Sequence, residues 1–438
     1  MLIENKTQMI CENLHRNPEG ELCFAGMELM PLAKKYGTPL YLYDEDRIRE
    51  RCRTYIGAVK EGFGANGKVL YASKAASFKR LYEIMKEEGM GIDVVSSGEI
   101  YSASSAGFDL SNAYFHSNNK TDDDIAYAIE MGVGYFVVDN AEELYAINRI
   151  ALDRGLTQKV LLRLTPGIDP HTYAAVATGK VDSKFGSAIE TGQAEEITKT
   201  ALSLDGIRLM GFHCHVGSQV FDSDVYLRAA EVMLDFTAYI YKNEGYLAKE
   251  LDIGGGYGVR YIESQPTIDI AKNIKEVAEF MKNKAAELSI DLPKVAFEPG
   301  RSIVADAGLT LYTVGTVKNI PGYKTYVSVD GGMTDNPRYA LYGSPYTILP
   351  VMDDDSDTIT CSVVGRCCES GDILQENVTL PNMKRGDILA CLTTGAYHYS
   401  MSSNYNRIPK PPVVMIADGE SYVAVRRQTA EDLSSLDV

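Results

Sequence analysis

The chain has 438 residues with 43 Lys+Arg against 60 Asp+Glu, a net charge of −17, and that balance argues against a nucleic-acid partner, which needs a basic surplus to neutralise phosphates. Hydrophobic residues at 45% and charged residues at 24% are those of a core-forming globular protein, and the length predicts two domains, one of them large. Eight cysteines (Cys11, Cys23, Cys52, Cys214, Cys361, Cys367, Cys368 and Cys391) form no CxxC pair and read as reduced thiols. Glu4, Lys6, Glu12 and Arg16 stand where a secretory signal would need an apolar stretch, and no run of about 18 apolar residues occurs. The expectation is a cytoplasmic protein with no membrane partner.

In chain order, residues 21–30 (Glu-Leu-Cys-Phe-Ala-Gly-Met-Glu-Leu-Met) predict a strand ahead of the large domain. From Val69 to Gly300 short apolar runs then alternate with amphipathic stretches, the pattern of βα units around a parallel sheet. The runs are Val69–Ser73, Ile92–Ser96, Ala113–His116, Tyr135–Asp139, Val160–Leu164, Leu209–His215, Leu251–Ile253 and Val295–Glu298. Helices are predicted over Phe78–Glu88, Asp122–Met131, Ala141–Arg154, Tyr226–Lys242 and Ile268–Leu288; in the last, Ile270, Ile274, Val277 and Met281 share one face. Eight such strands match a (β/α)8 TIM barrel, whereas open doubly wound sheets usually stop at about five or six.

After Asp306 the texture changes to β-branched and aromatic runs without long helical patterns: Leu309–Val317, Thr325–Val329, Thr358–Val364, Asp387–Leu392, Val413–Ala417 and Tyr422–Val425. Asp418-Gly419 between the last two is a hairpin signal. The predicted architecture is α/β plus all-β: a barrel over residues 38–306 and a C-terminal antiparallel β-sandwich or Greek-key domain over 307–438, to which residues 1–37 add a strand.

Barrel enzymes carry their chemistry at the carboxyl ends of the strands. There the sequence places Lys74, His116, Arg163, His213 and His215, the triplet Gly254-Gly255-Gly256, and Glu298 followed by Pro299-Gly300-Arg301. Each has an ordinary explanation alone. A lysine usually solubilises a surface, a glycine triplet is more often a tight turn, and Glu298 with Arg301 suits a structural ion pair. On one rim they suggest more. A desolvated lysine is a free amine able to form an imine, glycines after a strand expose backbone N–H groups to a phosphate, and loop charges are commonly functional. His213 and His215 stand two apart on a strand and face the same way; with no further ligand cluster near in sequence, hydrogen bonding or stacking is expected ahead of a metal. Imine lysine, phosphate cradle, imidazole and carboxylate together describe a pyridoxal 5'-phosphate site, although a Schiff-base aldolase acting on a sugar phosphate would use the same residue types.

At this point the motifs resemble the diaminopimelate decarboxylase family, within the alanine racemase-like (fold type III) pyridoxal-phosphate enzymes. The resemblance rests on Tyr71-Ala72-Ser73-Lys74-Ala75, Asp93-Val94-Val95-Ser96-Ser97-Gly98-Glu99, His116-Ser117-Asn118-Asn119-Lys120, Asp182-Ser183-Lys184-Phe185-Gly186 and His213-Cys214-His215-Val216-Gly217-Ser218-Gln219. It continues through Asp252-Ile253-Gly254-Gly255-Gly256-Tyr257-Gly258, Glu298-Pro299-Gly300-Arg301, Asp335-Asn336-Pro337-Arg338, Cys368-Glu369-Ser370-Gly371-Asp372 and Gly395-Ala396-Tyr397.

The resemblance implies that Lys74 forms the imine with the cofactor, that Asp93 lies at the cofactor, that His215 stacks on its ring and that Glu298 pairs with the ring nitrogen. Ser218, Gly254, Gly255, Gly256, the turn of Glu298, Pro299, Gly300 and Arg301, and Tyr397 would hold the phosphate. Arg301, Arg338, Tyr342 and Tyr397 would bind substrate at its unreactive carboxylate, Glu369 its distal ammonium, and Cys368 would donate the proton. The implied reaction is conversion of meso-2,6-diaminopimelate to L-lysine and carbon dioxide in a homodimer with shared active sites. Ornithine, arginine or carboxynorspermidine decarboxylases, and non-catalytic homologues, share many of these motifs; the paired Arg301 and Arg338 favour a dicarboxylic substrate. Two departures stand out, Ser117 where the family more often has Gly, and Arg366-Cys367 where Pro and an apolar residue are commoner.

Overall fold

The computed structural model describes residues 10–169, 183–354 and 357–438, so Asp182 of the motif Asp182–Gly186 lies outside the described residues. The chain divides into two compact units, one of Arg51–Gly258 with Thr267–Ser302, the other of the residues up to Glu50, Val259–Pro266 and Ile303–Val438.

In the first unit all eight predicted strands form, as Gly67–Ala72, Gly91–Val94, Ala113–Phe115, Tyr135–Val138, Gln158–Thr165, Ile207–His213, Glu250–Asp252 and Lys294–Phe297. Each pairs in parallel with the next, and the eighth returns to the first through Val295↔Gly67 and Phe297↔Val69, which closes the barrel. Closure follows from the sequence because these strands are apolar on both faces: one packs the helices outside and the other fills the interior, where Leu70, Tyr114, Val137, Leu161 and Ala296 are buried together. The five predicted helices form within two residues of their expected ends, as Lys79–Glu87, Asp122–Glu130, Ala141–Asp153, Asp224–Glu244 and Ile270–Glu287. Their starts are chemically marked. Thr121 closes a capping box with Asp124, Asn140 accepts from the amide of Glu143, and Asp269 from that of Lys272.

The interior also holds polar groups. Lys68 donates to the Tyr114 hydroxyl at 3.0 Å, the Tyr114 hydroxyl donates to Glu250, and Tyr114 stacks on Tyr135 with centroids 4.4 Å apart. Among the described residues no helix is long and apolar enough to cross a membrane.

The second unit is built on a nine-stranded sheet with the path Ile373–Pro381, Thr358–Val364, Lys324–Val329, Gly308–Ile320, Leu40–Asp44, Val413–Ala417 and Glu420–Val425; Ile388–Cys391 and Ile348–Pro350 branch from it. Most pairings are antiparallel, and Asp418-Gly419 makes the predicted hairpin with positive φ at both residues. Two pairings run parallel, Lys324–Val329 with Thr358–Val364 and Leu40–Asp44 with Val413–Ala417. Both join segments far apart in sequence, which is what a parallel crossover needs.

The contact division differs from the sequence-based boundary of 38–306. Leu40–Asp44, grouped with the barrel on sequence, lies between Gly308–Ile320 and Val413–Ala417 with all five of its residues buried. A short run that is apolar on both faces suits the centre of either sheet, so pattern alone could not place it. Residues 21–30 supply Leu22–Phe24 and Met27–Glu28 to a separate three-stranded meander with Leu14–Arg16, and Leu22 donates its amide to the Val351 carbonyl at 2.8 Å.

Candidate active site

Within the barrel unit the residues singled out in the sequence gather at the carboxyl ends of the strands. Lys74 lies in the single 3-10 turn Ser73–Ala75 that ends the first strand, with Ser73 and Ala75 fully buried. Its own side chain is exposed. The residue is thus more open than the desolvated lysine expected from sequence, and its positive charge still acts on Asp93, Glu99, His213 and His215.

Glu298, one residue past the eighth strand, is 6% exposed and meets two imidazoles. His213 closes the sixth strand and its Nε2 is 3.2 Å from Glu298 Oε2; His116 follows the third strand and its Nε2 is 2.8 Å from Oε1, at an angle that leaves both of those atoms without an aligned hydrogen bond. The two rings stand edge to face, centroids 4.9 Å apart. Burial alone would raise the Glu298 carboxyl, but the adjoining imidazoles of His116 and His213 hold it well below the usual carboxylate range.

Its acidic neighbours go the other way. Burial pushes Asp93 up to about 6 and Glu99, whose Oε2 accepts from the Val95 amide at 2.8 Å, up to about 7. Asp252, fully buried and accepting from the Gly254 amide at 2.8 Å, is raised well above its ordinary value by burial and by the Glu298 charge. The rim thus holds one carboxyl group below its ordinary range and three raised above theirs, the environmental sorting by which folds assign acid and base roles.

The two histidines of the HxH pair serve different partners rather than one. His213 engages Glu298, whereas His215, beyond the strand end, accepts from the Gly255 amide through Nδ1 at 3.4 Å. Loss of water, with the positive charges of Lys74 and Arg163, drives His215 well below its usual value, so it is a neutral ring. His116, His213 and Glu298 bring their side-chain nitrogen and oxygen atoms within 4.8 Å of one another.

The glycine triplet is required by backbone packing. A Cβ on Gly255 would come within 2.1 Å of the Glu298 carbonyl oxygen and one on Gly256 within 2.2 Å of the Gly217 carbonyl oxygen; Gly256 also has a φ of +111°. A Cβ on Gly300 would lie 2.9 Å from that of Ala72, still too close for a side chain. Arg301 donates through Nε and Nη2 to Ser218 Oγ at 3.1 and 2.9 Å, which joins two residues expected to grip the phosphate.

Pyridoxal 5'-phosphate fits these groups. Buried polar atoms without a hydrogen-bond partner converge here, namely both oxygens of Asp93, Glu298 Oε1 and His213 Nδ1, and such atoms call for a polar ligand. An anionic carboxylate suits a protonated ring nitrogen, a lysine stands on the same rim, and the close-packed glycine turn leaves no side chain over a phosphate.

Sequence reasoning gave no role to Lys120 or Asp252. Lys120 reaches Glu143 Oε1 at 2.7 Å and the carbonyl oxygens of Val137 at 2.8 Å and Ser117 at 3.2 Å, with 0% of its side chain exposed. Its signal was position, four residues past a strand end inside a recognised motif. Ser117, the departure noted above, adopts φ +153°, a backbone region that favours glycine.

In the second unit Arg338, Tyr342 and Tyr397 come together. Arg338 is 6% exposed, donates from Nε to the Tyr346 hydroxyl at 3.0 Å, and its guanidinium carbon lies 5.4 Å from the Tyr342 ring centroid and 5.3 Å from that of Tyr397. Cys368 and Glu369 are exposed on a loop pinned by Asp372, which is buried and accepts from the amides of Met333 and Cys367 at 2.6 and 2.7 Å. Burial, followed by Asp372, pushes the Cys367 thiol up to about 12, so that cysteine stays a thiol.

Comparison with known proteins agrees with this chemistry. The family described as "Pyridoxal-dependent decarboxylase, pyridoxal binding domain" matches residues 45–305. The diaminopimelate decarboxylase of Bacillus subtilis is 42% identical over 97% of this chain and 96% of its own, and that of Staphylococcus aureus is 42% identical over 95% and 97%. Among solved structures, the diaminopimelate decarboxylase of M. jannaschii in complex with L-lysine superposes with a TM-score of 0.89 at 31% identity, covering 98% of each chain. A lysine/ornithine decarboxylase of Vibrio vulnificus complexed with putrescine has a TM-score of 0.75 at 25% identity, over 89% of this chain and 97% of that one. Matched at 42% identity over nearly its whole length and by the pyridoxal-binding family across the barrel, the chain belongs to the diaminopimelate decarboxylase family of pyridoxal-dependent decarboxylases.

Proposed function

We propose that this protein decarboxylates meso-2,6-diaminopimelate to L-lysine and carbon dioxide, the last step of lysine biosynthesis, with pyridoxal 5'-phosphate as cofactor. The observation that carries the reading is the buried Glu298, flanked by the His116 and His213 imidazoles on the rim that also bears Lys74; the 42% identity to diaminopimelate decarboxylases supports the substrate. When bound, the cofactor supplies an imine-forming aldehyde and a ring that takes up the electron pair of the broken carbon–carbon bond.

The protein supplies the rest. Lys74 provides the amine that anchors the aldehyde. Glu298 places a fixed negative charge for the ring nitrogen, worth most where water is excluded. Neutral His215 offers a flat face for stacking, Asp93 adds a polar contact, and Ser218, Gly254–Gly256, Pro299, Gly300, Arg301 and Tyr397 grip the phosphate. Arg301, Arg338, Tyr342 and Tyr397 take the unreactive carboxylate and Glu369 the distal ammonium, while Cys368 Sγ holds the proton delivered to the carbon that loses carbon dioxide. The cysteine and glutamate are proposed to act at the barrel of a partner subunit in a two-fold homodimer in the cytoplasm.

Carbon dioxide release from purified protein tests the reaction. meso-Diaminopimelate is expected to be turned over, and ornithine, arginine and lysine to be poor; turnover of ornithine or arginine in its place would overturn the substrate. In the same assay Arg338→Ala should weaken diaminopimelate by roughly ten- to a hundredfold, the cost of about 1.5–3 kcal/mol for a charge-assisted contact. An equal loss for a monocarboxylate would remove Arg338 from distal-carboxylate recognition.

The shared site is tested by mixing. Lys74→Ala and Cys368→Ala homodimers should each be nearly inactive, and co-refolding them should restore activity, because one site of the heterodimer unites an intact Lys74 with an intact Cys368. A mixture no better than its parents despite demonstrated subunit exchange would show that each site comes from one chain.

A further inference from the structure

The rim contains several buried carboxyl groups, and only one of them carries imidazoles on both oxygens. Asp93, Asp252 and Glu298 are exposed by 1%, 0% and 6%. All three suffer the same loss of hydration, so burial does not select which of them ionises. What differs is the surrounding hydrogen-bond set. Asp93 has no aligned donor on either oxygen, and its nearest imidazole atom, His116 Nε2, is 3.9 Å from Oδ1. Asp252 takes one backbone amide on Oδ1 and has no partner on Oδ2. Glu298 has one aligned hydrogen bond, between Oε2 and His213 Nε2 at 3.2 Å, and a second imidazole close by, His116, whose Nε2 lies 2.8 Å from Oε1 without alignment.

An ionised carboxylate has no proton to give, so the proton of the His213–Glu298 hydrogen bond sits on His213 Nε2. The two histidines come from different strand ends, Ala113–Phe115 and Ile207–His213, and their edge-to-face rings leave each other little room to rotate. The carboxylate is therefore approached from two directions by side chains that are themselves fixed.

We infer that His116 and His213 are positioning residues that hold the buried Glu298 carboxylate oriented as the partner of the cofactor's ring nitrogen. They act through Glu298 and touch no reacting atom. The inference rests on the pyridoxal-phosphate reading above and extends it to two residues that the reading leaves without a role. A consequence is a preference in cofactor binding that depends on the ring nitrogen alone.

The test measures dissociation constants of the apoenzyme for pyridoxal 5'-phosphate and for its 1-deaza analogue, in which carbon replaces that nitrogen, by absorbance and fluorescence titration. Wild-type protein is expected to prefer pyridoxal phosphate. His213→Leu should cut that preference by roughly tenfold, the scale of one charge-assisted hydrogen bond, and His116→Leu, which removes a close imidazole without an aligned bond, should cut it by less, while affinity for the analogue stays near its wild-type value in both. His213→Gln, which retains an amide donor, should keep most of the preference. Equal weakening of both ligands would show that the histidines only shape the pocket, and an unchanged preference would show that Glu298 needs neither; either result overturns the inference. If leucine prevents folding, His116→Asn and His213→Asn give the same comparison, because a shorter donor withdraws the contact while keeping polarity. Wild-type protein that binds neither ligand would sink the cofactor reading itself, and one that binds both equally would sink the Glu298–ring-nitrogen pairing together with the histidine clamp while leaving the other cofactor contacts standing.

Discussion

Replacing Lys74 with alanine is expected to abolish turnover, by about a thousandfold or more, together with the near-ultraviolet to visible absorbance of a lysine-bound cofactor. Among the described residues Lys120 is another lysine past a barrel strand end, and the structure explains why it cannot substitute. Its amine is spent on Glu143 and two backbone carbonyls and is sealed from solvent, whereas Lys74 is exposed on its turn. A Lys74→Ala protein that still shows a borohydride-reducible link to the cofactor would transfer the imine to another residue.

Lys120→Ala should give the largest loss of stability of any single rim substitution. The Lys120 and Glu143 side chains are 0% and 3% exposed, and burial lowers the lysine and raises the glutamate against their mutual attraction. Removing one member leaves a buried charge without its partner, at a cost of about 3–5 kcal/mol. Glu143 Oε2 also accepts from the Asp139 amide at 3.1 Å, and its own amide is capped by Asn140 at 2.9 Å, so the damage reaches the start of the helix Ala141–Asp153. Thermal unfolding followed by circular dichroism measures it. The double variant Lys120→Met with Glu143→Leu should recover most of the loss, since replacing both charges avoids the orphan. A single variant with an unchanged midpoint would mean that the pair is hydrated or dispensable.

The barrel was legible because its signal is repeated. Runs such as Val69–Ser73 and Val160–Leu164 are apolar on both faces, and the helices between them carry caps such as Thr121 and Asn140 that mark their starts. The rim residues were legible because each adjoins a strand end. Other features left no local trace. Ile373–Pro381 forms a nine-residue strand, yet Gln375, Glu376 and Asn377 interrupt its apolar pattern, and Asn377 has φ +55°. Leu40–Asp44 resembles a barrel strand, and its true partners lie some 270 and 370 residues further along the chain. Glu143 is 23 positions from Lys120, a pairing that only the closed barrel brings into register. The contrast among Asp93, Asp252 and Glu298 is likewise invisible in sequence, because all three read as acids at strand ends and only the imidazoles around one of them tell them apart.

The close approach of Gly255 to the Glu298 carbonyl couples two jobs that could have been separate. The amide of Glu298 also donates to the Gly254 carbonyl at 2.9 Å, so the turn proposed to grip the phosphate and the residue proposed to meet the ring nitrogen are stitched together backbone to backbone. Any substitution that widens the glycine turn displaces the carboxylate with it. Cofactor affinity and ring electronics therefore cannot drift apart through single changes in this segment. A lineage that sought a looser grip on the phosphate would lose the alignment of its electron sink in the same step, which makes this stretch of backbone a poor place for gradual adaptation and directs it to the loops of the other unit.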